Sequence, residues 1–171
     1  SLVGSEMCIR DRATTKQNPV KFAKKIFRVA VFGFSTSSSA AALPLNVKTT
    51  TEELGVDEKI ASFVLPLGMT INMNGTAIMQ VVATLFIAGC AGYDVTLSQL
   101  IVIALLALIA SAGTPAAPGA GAIILFTILS GLGYINDGAL LAYSLILAIN
   151  RPIEMLVTAL NVVGDSATAI Y

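Results

Sequence analysis

The stretch Ile60–Gly92, IASFVLPLGMTINMNGTAIMQVVATLFIAGCAG, decides how this chain is read. It is 33 residues long and largely apolar, with a polar break near its middle, Thr70–Thr76 (TINMNGT). Its length suits a membrane span built from two half-helices at ~1.5 Å per residue. Free amide and carbonyl groups in hydrocarbon cost about several kcal/mol each. Irregular backbone at that depth therefore survives only where it is buried in protein or lines a cavity.

The same pattern recurs on either side. Asn18–Arg28 (NPVKFAKKIFR) begins a basic amphipathic helix with Pro19 in its first turn, followed by a serine-rich break at Ser35–Ser39. A helix over Val20–Ser35 reaches only ~24 Å, short of a hydrocarbon core of ~30 Å, and the chain turns polar soon after Pro44. Residues 13–52 are therefore expected to form a re-entrant hairpin, and residues 58–92 a broken spanning helix. Val95–Ala112 and Ala122–Leu132 flank a Gly/Pro-rich break, Ser111–Gly121 (SAGTPAAPGAG), so residues 95–132 read as a second hairpin. Residues 138–171 read as one long last spanning helix running through Pro152 and cut short at Tyr171. The fold expected is an all-α membrane protein with two opposed re-entrant hairpins and two spanning helices, one unwound at its middle. Apart from Arg10, Arg12 and Arg151, Lys and Arg fall within Lys16–Arg28 and at Lys48 and Lys59, while the loops at Asp94 and Asp137 carry none. The positive-inside rule opens the first hairpin to the cytoplasm and the second to the outside.

Composition narrows the function. The chain of 171 residues is 56% hydrophobic and 12% charged, against about 25% charged in soluble domains. It lacks His, which excludes Ser-His-Asp and Cys-His catalysis, and its zero net charge gives no argument for nucleic acid. Cys90 reads as a small core residue, and no disulfide framework is indicated. Ser1–Arg12 (SLVGSEMCIRDR) resembles a translated sequencing-library adapter and is set apart from the fold. Both ends are expected to be truncations.

In the last helix, Glu154, Thr158, Asn161 and Asp165 are spaced by 4, 3 and 4 residues and so share one stripe. A polar stripe on a greasy intramembrane helix should face the bundle interior or a water-filled cavity. Packing hydrogen bonds would account for Thr158 and Asn161, and Arg151 could pair with Glu154 one turn away. Asp165 has no basic neighbour on its helix, so it needs a cation or a proton from elsewhere. Sodium, which takes hard oxygen ligands, is the economical answer. Asp165, Asn161, the Asn72 region and carbonyls freed near Gly68–Asn74 could supply the oxygens, and Thr70 with carbonyls around Ser111–Thr114 could supply a second site. Half-helix N-termini at the hairpin tips would present N–H groups to an anionic substrate group.

These motifs resemble the C-terminal half of the dicarboxylate/amino acid:cation symporters, which include the glutamate transporters. The resemblance covers Asn18–Tyr171. It rests on Ser37–Ser39 before Leu43-Pro44, Pro66-Leu67-Gly68 leading into Asn72–Thr76, Gly113-Thr114 with Pro118–Gly121, and Asn161–Asp165. It implies a multi-pass protein of the inner (plasma) membrane, homotrimeric at full length, that moves an amino acid or dicarboxylate with sodium and needs no other cofactor. The first hairpin would be the inner gate and the second the outer. Substrate would be held by backbone around Ser38 and Ser39, by Thr76, by the second tip near Ala117 and Gly121, and by Glu154, Thr158 and Asn161. Sodium would be held by Asp165 with carbonyls at Gly68, Asn72 and Asn161, and at a second site by Thr70 with carbonyls of Ser111, Ala112 and Thr114.

Departures from the family pattern bear on the substrate. Members that carry acidic substrates have an arginine where Val157 stands, and prokaryotic members can offer another at Ser37. A second substrate carboxylate would then lack a bidentate partner, which favours a neutral amino acid. An acidic amino acid or C4-dicarboxylate is the alternative, with Arg151 as a substitute partner. Asn74 replaces a carboxylate that helps bind a third sodium in relatives, which is compatible with fewer sodium ions or with proton coupling. A passive channel is a further alternative. So is an intramembrane aspartyl protease built on Tyr93-Asp94 and Gly164-Asp165, although Val162 stands where that motif needs glycine.

Overall fold

A computed structural model describes residues 18–170, which contain helices and no strand. The adapter-like segment 1–12, residues 13–17 and Tyr171 lie outside the described residues. The helices are α1 (Pro19–Thr36), α2 (Ser39–Glu52), α3 (Glu58–Ile71), α4 (Asn74–Cys90), α5 (Leu97–Ala112), α6 (Ala120–Leu132), α7 (Asp137–Ile149) and α8 (Arg151–Ala169).

Local chemistry fixes where most of them begin. The Asn18 side chain accepts from the Val20 N–H ahead of Pro19, and Ser38 and Asn136 cap α2 and α7 in the same way. Thr96 and Gln99 form a reciprocal capping box at the start of α5. α3 and α4 break at Asn72 and Met73, where the motif TINMNGT predicts unwinding, and the Asn72 N–H closes α3 onto the Gly68 carbonyl at 2.7 Å. Together Glu58–Cys90 forms a 33-residue stretch long and apolar enough to cross a membrane.

Two expectations are corrected. The last segment is not one continuous helix, because α7 and α8 meet at 69° across Asn150. Pro152 falls in the first turn of α8, where its missing N–H would lack an intrahelical partner anyway, so the sequence tolerates a new helix start there. Cys90 is not a core residue. It closes α4 and is exposed.

α8 is the hub, in contact with α1, α2, α3, α4 and α7. One apolar cluster joins α1 and α2 to α8 through Ile26, Val29, Ala42 and Val162. A smaller one sets Ala61 and Leu65 of α3 against Ala169. The largest gathers Ile87, Ile103, Leu125, Leu129 and Ile146 from α4, α5, α6 and α7. Each hairpin thus packs on a different partner, the first on α8 and the second mainly on α4.

The two hairpins meet tip to tip. Ser38 and Ala40 of the first tip both donate to the Ala116 carbonyl of the second. The open ends of the second hairpin lie side by side elsewhere: Tyr93 and Tyr134 stack with ring centroids 4.4 Å apart, and Tyr93 donates to the Gly133 carbonyl. Large apolar side chains such as Phe63, Leu97, Ile109 and Ile123 face outward. In water such a surface would be a liability, and in a bilayer it is the expected exterior.

Candidate functional site

The polar stripe of α8 faces inward. Glu154, Asn161 and Asp165 are buried and Thr158 is half-buried. Its first three members, with Val157, line a cavity of about 40 Å³ between both hairpin tips and the start of α4. That volume holds a few water molecules.

The cavity gathers most of the substrate set expected from sequence: Ser39, Thr76, Ala117, Gly121, Glu154, Val157, Thr158 and Asn161. Ser38 does not line it. Its hydroxyl accepts from the Ala41 N–H as the α2 cap and donates to the Ala116 carbonyl, joining the tips. Sequence reasoning missed Ser37, Met73, Met79 and Gly119, which also line the cavity. Met73 lies between the recognised Asn72 and Asn74, but apolar side chains in an apolar segment give no separate signal.

Asn161 organises the start of α4. Its side-chain oxygen accepts from the Gly75 N–H at 2.9 Å, and its amide nitrogen donates to the Thr76 hydroxyl at 3.0 Å. The backbones approach closely there, since a Cβ on Gly75 would lie 3.1 Å from both the Asn161 oxygen and the Val157 carbonyl.

Glu154 is the electrostatic centre of the cavity. Its carboxylate accepts from the Asn150 side chain at 2.9 Å, from Arg151 at 3.3 Å and from the Gly119 N–H at 3.2 Å. The pairing with Arg151 that the sequence allowed is therefore formed. Gly119 begins α6 with a left-handed φ of 83°, and no side chain of its own caps that end. The Glu154 carboxylate supplies the acceptor, where the helix dipole favours negative charge.

A second constellation lies deeper along α8. Asp165 is buried and accepts from the Asn72 side-chain amide at 3.0 Å, and Asn72 in turn accepts from Asn74. Gly68 packs so tightly that a Cβ there would sit 2.8 Å from the Asp165 carboxylate. Among the described residues no salt bridge reaches Asp165. Gly68, Asn72, Asn74 and Asp165 are thus brought together. Asn161 lies one helical turn away, with its side chain committed to α4.

The other expected cation ligands are less assembled. Thr70 is exposed and donates to Leu67 of its own helix, and Ser111 and Thr114 donate to Leu108 and Ala110 of theirs. No hydrogen bond joins Thr70 to Ser111, Ala112 or Thr114 among the described residues. Thr114 instead lines the cavity beneath the hairpin tips. Sequence reasoning also overlooked Asn46 on α2, which is buried, donates to the Val162 carbonyl and accepts from Ser166.

Comparison with known proteins places these features among relatives. Residues 7–171 match the family described as the sodium:dicarboxylate symporter family. The chain is 37% identical over 157 residues to a Caenorhabditis elegans excitatory amino acid transporter, covering 91% of this chain and 30% of that protein. Human excitatory amino acid transporter 5 is 37% identical over 155 residues, covering 91% of this chain and 27% of the relative. Human excitatory amino acid transporter 2 is 37% identical over 152 residues, covering 89% and 26%. The chain therefore spans less than a third of the length of these curated relatives.

Proposed function

Because this chain belongs to the sodium:dicarboxylate symporter family, we propose that it is the substrate- and cation-binding part of a secondary symporter, and that it carries a neutral amino acid coupled to sodium. The observation that carries the substrate reading is the charge of the cavity. Among the described residues no Lys or Arg lines it, and the nearby Arg151 is spent on Glu154. A zwitterion brings no net charge to such a site. A second carboxylate would be buried without a partner, at the cost that attends any unpaired buried charge.

Bound substrate would meet the tip backbone near Ser38, Ser39, Ala117 and Gly121, with Thr76, Thr158 and Asn161 around it. Glu154 would accept from its amino group. Asp165 with oxygens of Gly68, Asn72, Asn74 and Asn161 would hold sodium, and Thr70 with Ser111, Ala112 and Thr114 a second ion once the tips rearrange. Among the described residues no three His, Cys, Asp or Glu side chains cluster. One carboxylate among neutral oxygens suits a monovalent ion better than a divalent one, whose affinity rises with ligand charge.

The two hairpins act as gates in this reading. The first opens to the cytoplasm and the second to the outside of a plasma membrane, with the full-length protein a homotrimer. The relatives' name favours a second reading, an acidic amino acid or dicarboxylate as cargo. Uptake by the full-length protein in proteoliposomes, driven by a sodium gradient, separates the two. Accumulation of serine or alanine with aspartate excluded supports neutral cargo. Accumulation of aspartate alone selects the second reading, and uptake indifferent to sodium removes the coupling.

A further inference from the structure

We propose that the outer face of α1 binds an anionic phospholipid, with its phosphate held by Lys21, Lys24 and Arg28 and its acyl chains laid along Val31 and Phe32. This surface lies outside the cavity, and its lipid contact does not depend on which amino acid is carried.

Lys21, Lys24, Lys25 and Arg28 are spaced by 3, 1 and 3 residues, so they share one face of the helix, and all four are exposed. A different face, carrying Ile26 and Val29, packs toward Val162 of α8. Val31 and Phe32, three and four residues past Arg28, continue the basic face toward the hairpin tip and are exposed as well. One face of α1 thus changes from cationic to apolar along its length.

The change falls at the right depth for a lipid. Ser37 at the tip lies nine positions beyond Arg28, a rise of about 14 Å along the helix. Half of a hydrocarbon core of ~30 Å is about 15 Å. With the tip at mid-bilayer, Arg28 reaches the headgroup boundary and Lys24 and Lys21 stand among the headgroups. Val31 and Phe32 then stand among acyl chains.

Helix stability does not account for these cations. The macrodipole puts partial positive charge at an N-terminus and favours carboxylates there, yet the first turn of α1 carries no acidic residue. Protein carboxylates do not neutralise them either. Among the described residues the ion pairs are Lys48–Glu52 and Arg151–Glu154, and neither includes a side chain of α1. Lys25 turns toward the end of α2 and donates to the Glu53 carbonyl. Lys21, Lys24 and Arg28 remain for an anion from outside. A lipid phosphodiester supplies charge and acceptor oxygens together, and its acyl chains cover Val31 and Phe32. A zwitterionic headgroup carries an ammonium that offsets the same phosphate, and free phosphate leaves the apolar half of the face bare.

Photo-crosslinking tests the contact. The full-length protein is placed in nanodiscs holding trace phosphatidylglycerol or phosphatidylcholine with a diazirine in the acyl chain, and labelled peptides are mapped by mass. Both leaflets carry the same lipid, so the result is independent of which way α1 enters the membrane. Labelling at Val31 and Phe32 should favour phosphatidylglycerol roughly fivefold or more, the attraction of at least one cation. The preference should fall to about one in Lys21→Gln/Lys24→Gln/Arg28→Gln and persist in Lys21→Arg/Lys24→Arg. It should also weaken in the wild type as salt rises. Melting temperatures report folding, and if the glutamine variant is unfolded the arginine variant and the salt series decide. Excess inorganic phosphate, against chloride at equal ionic strength, should leave the preference intact. Its loss there would assign the site to a water-borne anion and overturn the lipid. Equal labelling by both lipids in the wild type overturns the proposal. So does a lack of label on α1, which would show that another segment of the longer protein covers this face.

Discussion

The Ser38 hydroxyl donates to the Ala116 carbonyl at 2.9 Å, across 78 positions of sequence, and holds the two hairpin tips together over the cavity. The same oxygen caps α2 by accepting from the Ala41 N–H. One side chain thus couples the stability of α2 to the contact between the tips.

Ser38→Ala removes both bonds. The lost cap should destabilise α2 by about 0.5–2 kcal/mol, and the tips should part more readily. Spin labels at the exposed positions Ala40 and Pro118, in a background freed of other cysteines, would report a longer or broader distance distribution in the variant. An unchanged distribution would show that the tips are held by other contacts.

Gly68 has no room for a side chain beside Asp165. Gly68→Ala should push the carboxylate aside and cost about 1–3 kcal/mol, and under the proposed sodium site sodium should then raise the melting temperature less than it raises that of the wild type. Asp165→Asn keeps the shape and removes the charge, so it should abolish that sodium-dependent rise and coupled uptake with it. Full sodium stabilisation in Asp165→Asn would exclude Asp165 as an ion ligand.

Val157 lines the cavity on the α8 stripe. Val157→Arg would supply an unpaired guanidinium able to fork onto a second carboxylate, and aspartate should gain on the order of tenfold or more over serine in competition uptake. If serine keeps its advantage, cavity charge does not set selectivity.

Thr96 and Gln99 cap α5 at the end of the second hairpin remote from its tip. Thr96→Ala should lower stability by about 1 kcal/mol while leaving substrate competition constants unchanged, as thermal melting and binding measured together would reveal. A matching loss of affinity would mean that the hairpin transmits strain from its open end to its tip.

Much of the architecture was legible in the sequence because it follows from local rules. The break at Asn72–Met73, the helix start at Pro19 and the inward stripe from Glu154 to Asp165 each rest on residue type and spacing. The bend at Asn150 was missed because Pro152 can either kink a helix or sit harmlessly in a first turn, and neighbouring helices decide which. Cys90 was misplaced because an apolar run says nothing of which face of a membrane helix is covered by protein.

Sequence alone therefore determined the helical class, the positions of the breaks and the polar residues available to a site, since periodicity, capping and the cost of bare backbone in lipid act within a few residues. Tertiary structure alone decided which of those groups are already engaged. Asn161 reaches Gly75 across 86 positions, Arg151 is consumed by Glu154, and the Ser37 hydroxyl is left over. Hydrogen bonds and ion pairs depend on approach within about 3 Å, and only the packing of distant segments sets distances on that scale.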